Sequence, residues 1–248
     1  MSENPVEKIA KAYFESELVV SHYVRESHRV GLWNSEKALF KNRFSKDEHL
    51  LDLGCGTGRI AFGLEALGFT HVQAADFSAN MIESAQLIRE SEQSRILFRQ
   101  ADARNLPWPD NYFQGVIFGF NGFFMIPGEI ERLKALKEIH RVLKRGGTYI
   151  FTGHDRNFSN QKDHWTEEEL QWRSGKEDKR KVDFGDVLES TELGLMYIYS
   201  TSEEQTELLL REVGFDSIQT YLRQELGNEG YAVRRFSDEC RFWLAVKS

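Results

Sequence analysis

Patterns of a buried strand and of a helix alternate five times between residues 49 and 153, and this alternation constrains the fold more than any other feature. The strand segments are short apolar runs bounded by glycine or charged residues: HLLDLG (49–54), HVQAAD (71–76), ILFRQAD (96–102), GVIFGF (115–120) and TYIFTG (148–153). A helix that connects two neighbouring strands of one sheet makes them parallel, with a right-handed crossover. The sequence therefore predicts an α/β fold, a doubly wound and mostly parallel sheet with helices on both faces.

The segments that flank this core have other patterns. Residues 5–44 show helical periodicity, residues 203–213 form a further helix pattern, and two late strand candidates occupy 217–225 and 240–247. The stretch from 154 to 202 is longer than a connection needs to be, which predicts a cap over the site. We expect a single domain over 1–248 with four parts: an N-terminal helical arm (1–45), a cofactor-binding core (46–153), a cap insertion (154–202) and a C-terminal helix with strands of the sheet (203–248).

Charge and cysteine content limit the possible partners and the compartment. The chain of 248 residues has 32 lysines and arginines against 39 aspartates and glutamates, a formal charge of −7. Nucleic-acid binding depends on basic residues, so this balance argues against such a partner. Two cysteines, Cys55 and Cys240, make no disulfide framework and favour a reducing compartment. The start has no secretory leader pattern, and the longest apolar stretch (115–127) is shorter than the roughly 20 residues that span a bilayer. We therefore expect a cytoplasmic protein that binds no membrane.

A glycine-rich loop follows the first strand, in the sequence Leu51-Asp-Leu-Gly-Cys-Gly-Thr-Gly58. In an open parallel sheet, ligands bind beyond the carboxyl ends of the strands, where this loop lies. Glycines at alternating positions let the chain turn tightly and let a ligand approach the main chain. Taken alone, the loop is also compatible with a dinucleotide fingerprint through Gly56, Gly58 and Ala61, or with a turn that binds nothing.

Three acidic residues at successive strand ends favour a nucleoside ligand. Asp52 precedes the glycine loop, and Asp76 ends the second strand about 20 residues later, where a carboxylate can accept both ribose hydroxyls. Asp102 ends the third strand and is followed by Ala103. A carboxylate that accepts from an exocyclic amine and a backbone N–H that donates to a ring nitrogen together specify adenine.

Four segments jointly resemble the motifs of the class I S-adenosylmethionine-dependent methyltransferases: LLDLGCGTGRIA (50–61), AADFSANMIESA (74–85), RQADARNLPWPDNYFQGVIFGF (99–120) and EIHRVLKRGGTYIFT (138–152). The resemblance implies a seven-stranded sheet whose last strand is antiparallel, with CRFWLAVK (240–247) as the natural candidate. It also implies that S-adenosylmethionine is the cofactor and S-adenosylhomocysteine the product. The chain departs from the family at Gln114, where many members have aspartate, and we expect this residue only to support the strand.

Matched residue by residue, the motifs imply this set of cofactor contacts: Asp52, Gly54, Cys55, Gly56, Gly58, Asp76, Phe77, Met81, Asp102, Ala103, Phe118 and Gly119. The loop members would form the floor under the methionine and ribose of the cofactor. Asp76 would hold the ribose hydroxyls, and Phe77 and Met81 would lie against the adenine, whose edge Asp102 and Ala103 would recognise. The last two members of the set would present backbone carbonyls to the ammonium group.

Methyl transfer from a sulfonium is an in-line displacement, which requires alignment above all and a general base only for a protonated nucleophile. The catalytic residues are therefore unknown from the sequence, and the acceptor-site candidates rest on position. Asn121 offers an amide in the loop after the fourth strand or is a turn residue. His154, next to Asp155, is a candidate base oriented by a carboxylate or a plain loop residue.

Three residues of the N-terminal arm are further candidates. Tyr23, His28 and Trp33 have near-helical spacing and would either close over the cofactor and acceptor or belong to the core. The histidines follow no metal-ligand spacing, so we expect no metal.

The sequence favours a methyltransferase for a small-molecule acceptor, because the motifs occur with an acidic balance and a modest cap. A methyltransferase for proteins and a catalytically idle cofactor-binding module stay open, and an NAD-dependent oxidoreductase is a remote alternative that leaves Asp102 and Ala103 unexplained. The acceptor, the methylated atom and the oligomeric state are not specified by these patterns.

Overall fold

A computed structural model describes residues 4–157 and 162–248. Its main sheet has seven strands in the spatial order β3-β2-β1-β4-β5-β9-β8. In chain order these strands are β1 (His49–Leu53), β2 (His71–Asp76), β3 (Leu97–Gln100), β4 (Phe113–Phe118), β5 (Leu143–Gly153), β8 (Phe215–Leu222) and β9 (Arg241–Lys247). β1 to β5 pair in parallel, while β9 runs antiparallel to both of its neighbours. The predicted fold class and the antiparallel last strand are confirmed.

Helices cover both faces of this sheet. They are α1 (Pro5–Glu15), α2 (Glu17–Val30), α3 (Asn34–Arg43), α4 (Arg59–Ala66), α5 (Ala79–Glu92), α6 (Glu129–Val142), α7 (Lys162–Arg173), α8 (Glu203–Val213), α9 (Arg223–Leu226) and α10 (Tyr231–Phe236). Local signals set several of the ends: Ser78 caps α5 through its hydroxyl, and Gly214 ends α8 in a left-handed conformation. No helix in the described ranges is long and apolar enough to cross a membrane.

Two cores lie on opposite faces of the sheet, because successive side chains of a strand point to opposite sides. In β1, Leu50 packs with α3, α4 and α5, whereas Leu51 packs with α6 and α8 on the other face. In β4, Ile117 and Val116 divide between the same two cores. Central strands that are buried on both faces have continuous apolar sequences, so their positions could be predicted.

The segment after β5 differs from its predicted role as a cap. It contains α7 and a separate antiparallel hairpin, β6 (Asp186–Thr191) with β7 (Gly194–Tyr199). Tyr197 of this hairpin packs against Val6 and Ala10 of α1. No described residue of the segment lines the large cleft at the sheet's carboxyl edge. The insertion therefore packs against α1, and α1 itself lines the cleft.

Candidate functional site

The glycine loop between β1 and α4 forms the floor of the site. Gly54, Gly56 and Gly58 all adopt positive φ angles, of 64°, 53° and 94°. A Cβ atom on Gly54 would lie 2.3 Å from Cε2 of Phe118, so a side chain does not fit there. On Gly56 the nearest atom would be 4.0 Å away, on the ring of Tyr23 above the loop. The loop thus leaves bare backbone facing an open cleft, a shape that suits a ligand laid along the main chain.

Asp52 lies at the end of β1 beneath this loop. Its Oδ2 accepts the backbone N–H of Ala61 at 2.9 Å, which ties the strand end to α4. Burial raises the pKa of Asp52 to about 8, although nearby Arg59 opposes that shift. The carboxyl group is therefore largely protonated at neutral pH and ionises more readily when a cation is placed beside it.

Asp76 spans the space between the glycine loop and α5. Its Oδ2 accepts the N–H of Gly56 at 2.8 Å, and its Oδ1 accepts the N–H of Ser78 at 2.9 Å. Burial raises the pKa of Asp76, although these backbone hydrogen bonds favour the ionised form. Each oxygen keeps a further lone pair, so the side chain can accept the two hydroxyls of a ribose while its position is fixed.

Asp102 lies at the end of β3 and is bound by Arg104. Nη2 of Arg104 is 2.7 Å from Oδ2 of Asp102, and its Nη1 bridges Glu7 of α1 at 2.7 Å and Glu131 of α6 at 3.1 Å. Although burial opposes ionisation, the hydrogen bonds from Arg104 lower the pKa of Asp102. Asp102 is therefore a fixed carboxylate, and Arg104 joins it to the helix that covers the cleft.

The three carboxylates and the loop meet in one cleft of about 540 Å³, a size typical of small-molecule sites. All twelve predicted cofactor contacts except Gly58 line it. Its aromatic lining consists of Phe14, Tyr23, Phe77, Phe118, Phe120 and Phe236. Helix α1 crosses the opening, where Ser78 and Asn80 donate hydrogen bonds to the carbonyl groups of Phe14 and Glu15. The donor set, the bare loop and the cleft fit a nucleoside with an amino-acid tail.

Comparisons with known proteins identify the domain that carries this cleft. A family model described as a methyltransferase domain matches residues 50–147. The demethylmenaquinone methyltransferase of Leptospira interrogans is 39% identical over 115 residues, which cover 44% of this chain and 44% of that protein. Residues 50–147 are therefore similar to a methyltransferase domain. The resemblance of the sequence motifs to that family is thereby confirmed.

Solved structures support the fold of this methyltransferase domain. A methyltransferase from Methanosarcina mazei superposes with a TM-score of 0.66 at 19% identity, over 84% of this chain and 96% of that one. The Haemonchus contortus phosphoethanolamine N-methyltransferase 2, solved with S-adenosylhomocysteine, gives 0.64 at 17% identity, over 96% of this chain and 60% of that one. The matched parts amount to less than half the length of the Leptospira relative. The comparisons therefore show the fold and a similarity of residues 50–147 to methyltransferase domains.

The arm candidates occupy three different environments. Tyr23 lies over the glycine loop and lines the cleft. His28 is on the exposed side of α2, where its Nδ1 is 2.9 Å from the carbonyl oxygen of Val24, so it does not face the cleft. Trp33 is buried in the core against Arg59, so its placement fits the core alternative and differs from a closing role.

His154 and Asp155 do not form the candidate pair of a base and its orienting carboxylate. Asp155 is bound by Arg241, with Nη2 3.0 Å from its Oδ2, and does not orient His154. Instead, Nε2 of His154 lies 3.0 Å from Nδ2 of Asn121. Burial lowers the pKa of His154, which keeps the ring neutral at physiological pH. Because neither His154 nor Asn121 lines the cleft, the structure places this pair behind the site, and a role as general base is not supported.

Arg59 and Glu36 form a buried ion pair that the sequence patterns did not predict. Both terminal nitrogens of Arg59 donate to the carboxylate of Glu36, at 2.6 and 2.7 Å, and Arg59 lines the cleft. Although burial opposes its charge, Glu36 raises the pKa of Arg59. The position of Arg59, directly after the last glycine of the loop, was the available signal. Gln114 does support a strand as predicted, because its Oε1 accepts the N–H of His49 at 3.1 Å.

Proposed function

We propose that this chain uses S-adenosylmethionine to methylate a small-molecule acceptor by in-line displacement and releases S-adenosylhomocysteine. The observation that carries the proposal is the meeting of Asp52, Asp76 and Asp102 with the glycine loop in a single cleft. The name of the Leptospira relative, a demethylmenaquinone methyltransferase, supports both the reaction class and a small acceptor. A cleft of this size, partly covered by α1, suits such an acceptor better than a protein surface.

Each cofactor contact follows from the position of its side chain. Asp76 would accept the ribose hydroxyls on the lone pairs that Gly56 and Ser78 leave free. Asp102 would accept from the adenine amine while Arg104 holds it in place. Phe77, which is 38% exposed, would cover one face of the adenine. The walls of the cleft around the cofactor would be formed by the remaining predicted contacts, including Met81, Ala103, Phe118 and Gly119.

The cofactor supplies an electrophilic methyl group when it is bound. The chain's residues then have to hold the two reactants in line and keep water out, which can contribute about 7–11 kcal/mol to lowering the barrier. The bare loop and Asp52 would fix the methionine end, and the aromatic lining would exclude water. This division of roles needs no covalent intermediate on the chain.

Both cysteines support the proposed reducing, cytoplasmic environment. Cys55 and Cys240 are free, buried thiols. Burial raises the pKa of Cys55 well above its ordinary value, so it stays a neutral thiol inside the loop and packs there without acting as a nucleophile.

Calorimetric titration with S-adenosylhomocysteine, with NAD as a control, tests the proposal. We expect micromolar binding of the first compound and none of the second. Asp76→Asn keeps the shape of the side chain but weakens acceptance from hydroxyls, so affinity should fall more than tenfold. Asp110→Asn, which alters an exposed carboxylate outside the cleft, should change nothing.

A transfer assay separates the remaining alternatives. Purified chain is incubated with S-adenosylmethionine labelled in the methyl group and a cell extract divided into small-molecule and protein fractions. Label in the small-molecule fraction supports the proposal, whereas label in protein alone indicates a protein acceptor. Binding without any transfer indicates an idle module, and tight binding of NAD would refute the cofactor assignment.

A further inference from the structure

A smaller cavity, of about 240 Å³, lies where the strands of the sheet begin, at the edge opposite the cleft. The end of α3, the start of β4 and the start of β5 enclose it. It shares no lining residue with the cleft, and Gln114 in its wall is about 13 Å along β4 from Phe118 in the cleft. We call it the amino-edge cavity, and its polar side chains are those of Arg43, Glu48, Gln114, Lys144, Arg145 and Thr148.

A large bulge in the sheet forms one wall of the amino-edge cavity. The register of β4 and β5 shifts at Gln114, so that the four residues 144–147 of β5 oppose this single residue. Gly146 has a φ of 75° in the bulge, and a Cβ on Gly147 would lie 2.7 Å from the carbonyl oxygen of Lys144, so the bulge depends on its glycines. Bulges re-aim side chains and are over-represented beside functional sites. This one brings two basic side chains to the cavity.

Three cations line the amino-edge cavity without a carboxylate partner. Lys144 and Arg145 form no ion pair among residues 4–157 and 162–248. Arg43 donates through Nε to Oγ1 of Thr148 at 2.6 Å, which holds its guanidinium against the start of β5. The lining includes one carboxylate, Glu48, which accepts a backbone N–H of its own turn at 3.0 Å. Three cations and one anion give the lining a net charge of +2, on a chain whose formal charge is −7.

Two groups close to the bulge are affected by this positive charge. Burial lowers the pKa of His49, and a neighbouring histidine and Lys144 lower it further. Burial also lowers the pKa of Lys247, and Arg145 acts in the same direction, although Asp110 opposes it. The repulsion among these groups would be relieved by an anion bound at the bulge.

Gln114 adds a neutral donor to the lining. Its Oε1 accepts the N–H of His49 at 3.1 Å, which fixes the orientation of the amide. Its Nε2 donates to no residue within 4–157 and 162–248, so both of its protons are available to a ligand. The aspartate that many members of the resembling family have at this position would lower the net charge of the lining to +1. The departure at Gln114 therefore makes the cavity more favourable for an anion.

We propose that the amino-edge cavity binds a diphosphate group, with its three cations and the amide of Gln114 as the donors. Hydrogen bonds from arginine and lysine to phosphate oxygens are charge-assisted, and a diphosphate has enough oxygens for all four side chains. A carboxylate would compensate only one of the two net positive charges. The cavity is smaller than the roughly 300–1,000 Å³ of sites that enclose whole cofactors, so it suits a compact group. This proposal is independent of the proposed function, because no residue of the cleft takes part.

The experiment is calorimetric titration of the chain with sodium diphosphate, without magnesium and with saturating S-adenosylhomocysteine to occupy the glycine loop. We expect one diphosphate per chain, bound at least about tenfold more tightly than acetate. Gln114→Glu keeps the shape of the side chain and the acceptor for His49 but adds a negative charge, so the affinity should fall at least about tenfold. Lys144→Gln and Arg145→Gln each remove a charged donor and should lower it about tenfold.

Two variants control for the change in total charge. Gln219→Glu and Arg95→Gln make the same charge changes as Gln114→Glu and Arg145→Gln, at exposed positions outside the cavity. Both should bind diphosphate as the unmodified chain does. Adenosine diphosphate distinguishes the two sources of the group. Binding as tight as that of diphosphate indicates a group carried on a larger molecule, and binding of diphosphate alone indicates a free anion; both results support the site.

Several results would overturn the proposal: no binding of diphosphate at millimolar concentration, acetate binding equally well, or unchanged affinity in all three cavity variants. An equal loss in the two control variants would also overturn it, because the anion would then respond only to total charge. The affinity for S-adenosylhomocysteine, measured first, should be the same in every variant. If that compound does not bind at all, the proposed function fails, whereas the comparison of cavity and control variants still decides whether the amino-edge cavity binds diphosphate.

Discussion

Replacement of Glu36 by alanine should lower the free energy of unfolding by about 3–5 kcal/mol, because it leaves a buried cation without its partner. The Glu36 carboxylate is 1% exposed and the Arg59 side chain 9% exposed, so water cannot take over the contacts. The carboxylate accepts from Arg59 at 2.6 and 2.7 Å, and Oε2 also accepts the N–H of Trp33 at 2.8 Å. Three charge-assisted hydrogen bonds would be lost together. Because Arg59 lines the cleft, the affinity for S-adenosylhomocysteine should fall as well.

Urea unfolding followed by tryptophan fluorescence measures the change. Glu169→Ala is the control: it breaks an ion pair with Arg173 on α7 whose side chains are 49% and 75% exposed, and it should cost less than about 0.5 kcal/mol. The double variant Glu36→Leu with Arg59→Met should recover most of the stability, since apolar side chains of similar volume replace a buried pair at little cost.

A loss below about 1 kcal/mol for Glu36→Ala would refute this reasoning, because exposed ion pairs alone contribute that much. It would mean that Arg59 finds water or another acceptor once Glu36 is removed. A double variant that is less stable than Glu36→Ala would also refute it. The ion pair would then stabilise the fold by more than the cost of leaving the charge of Arg59 unpaired.

Three further predictions concern the loop, its acid and the covering helix. Gly54→Ala should destabilise the chain clearly more than Gly175→Ala, because both positions have positive φ but only the first Cβ meets a side chain, 2.3 Å from Phe118; urea unfolding of both variants checks this. Because the pKa of Asp52 in the folded chain is raised to about 8, its contribution to stability is present at low pH and is lost between about pH 4 and 8; unfolding measured across that range should show a fall of up to about 1.4 kcal/mol per pH unit that Asp52→Asn removes. Arg104→Gln should speed hydrogen exchange in α1 with little change in the central strands, because it breaks the ion pair with Glu7; exchange in α1 equal to that of the unmodified chain would disprove this role of Arg104.

The cofactor half of the site was predictable because its residues are close in sequence to strand ends. Asp52, Asp76 and Asp102 each end a buried strand, and parallel strands bring their carboxyl ends to one edge of the sheet. Topology alone therefore places these side chains together. The contacts that each carboxylate makes inside the chain, such as Arg104 with Asp102, depend on side-chain geometry that a pattern does not contain.

The aromatic contacts beside the glycine loop were less predictable, because their residues are distant in sequence. Phe236 belongs to a helix of six residues, which is too short to show a helical period. It stacks on Phe120 of the loop after β4, which is more than 100 residues away in sequence. His154 and Asp155 are neighbours in sequence, but they point to different partners, because successive residues after a strand diverge. Tyr23 was found as a candidate because it lies on a helix that had to cover the sheet.

The insertion after β5 affects the site through α1, and this changes what variation in that segment would do. Its hairpin packs Tyr197 against Val6 and Ala10 of α1, and the same helix carries Glu7, which Arg104 binds together with Asp102. A change in the hairpin would therefore alter how firmly α1 closes over the adenine end of the cleft. Leu193 and Met196 of the same hairpin pack in one cluster with Tyr23, which lies over the glycine loop. It follows that variation in this segment would act on the cleft through the helices α1 and α2, which cover it.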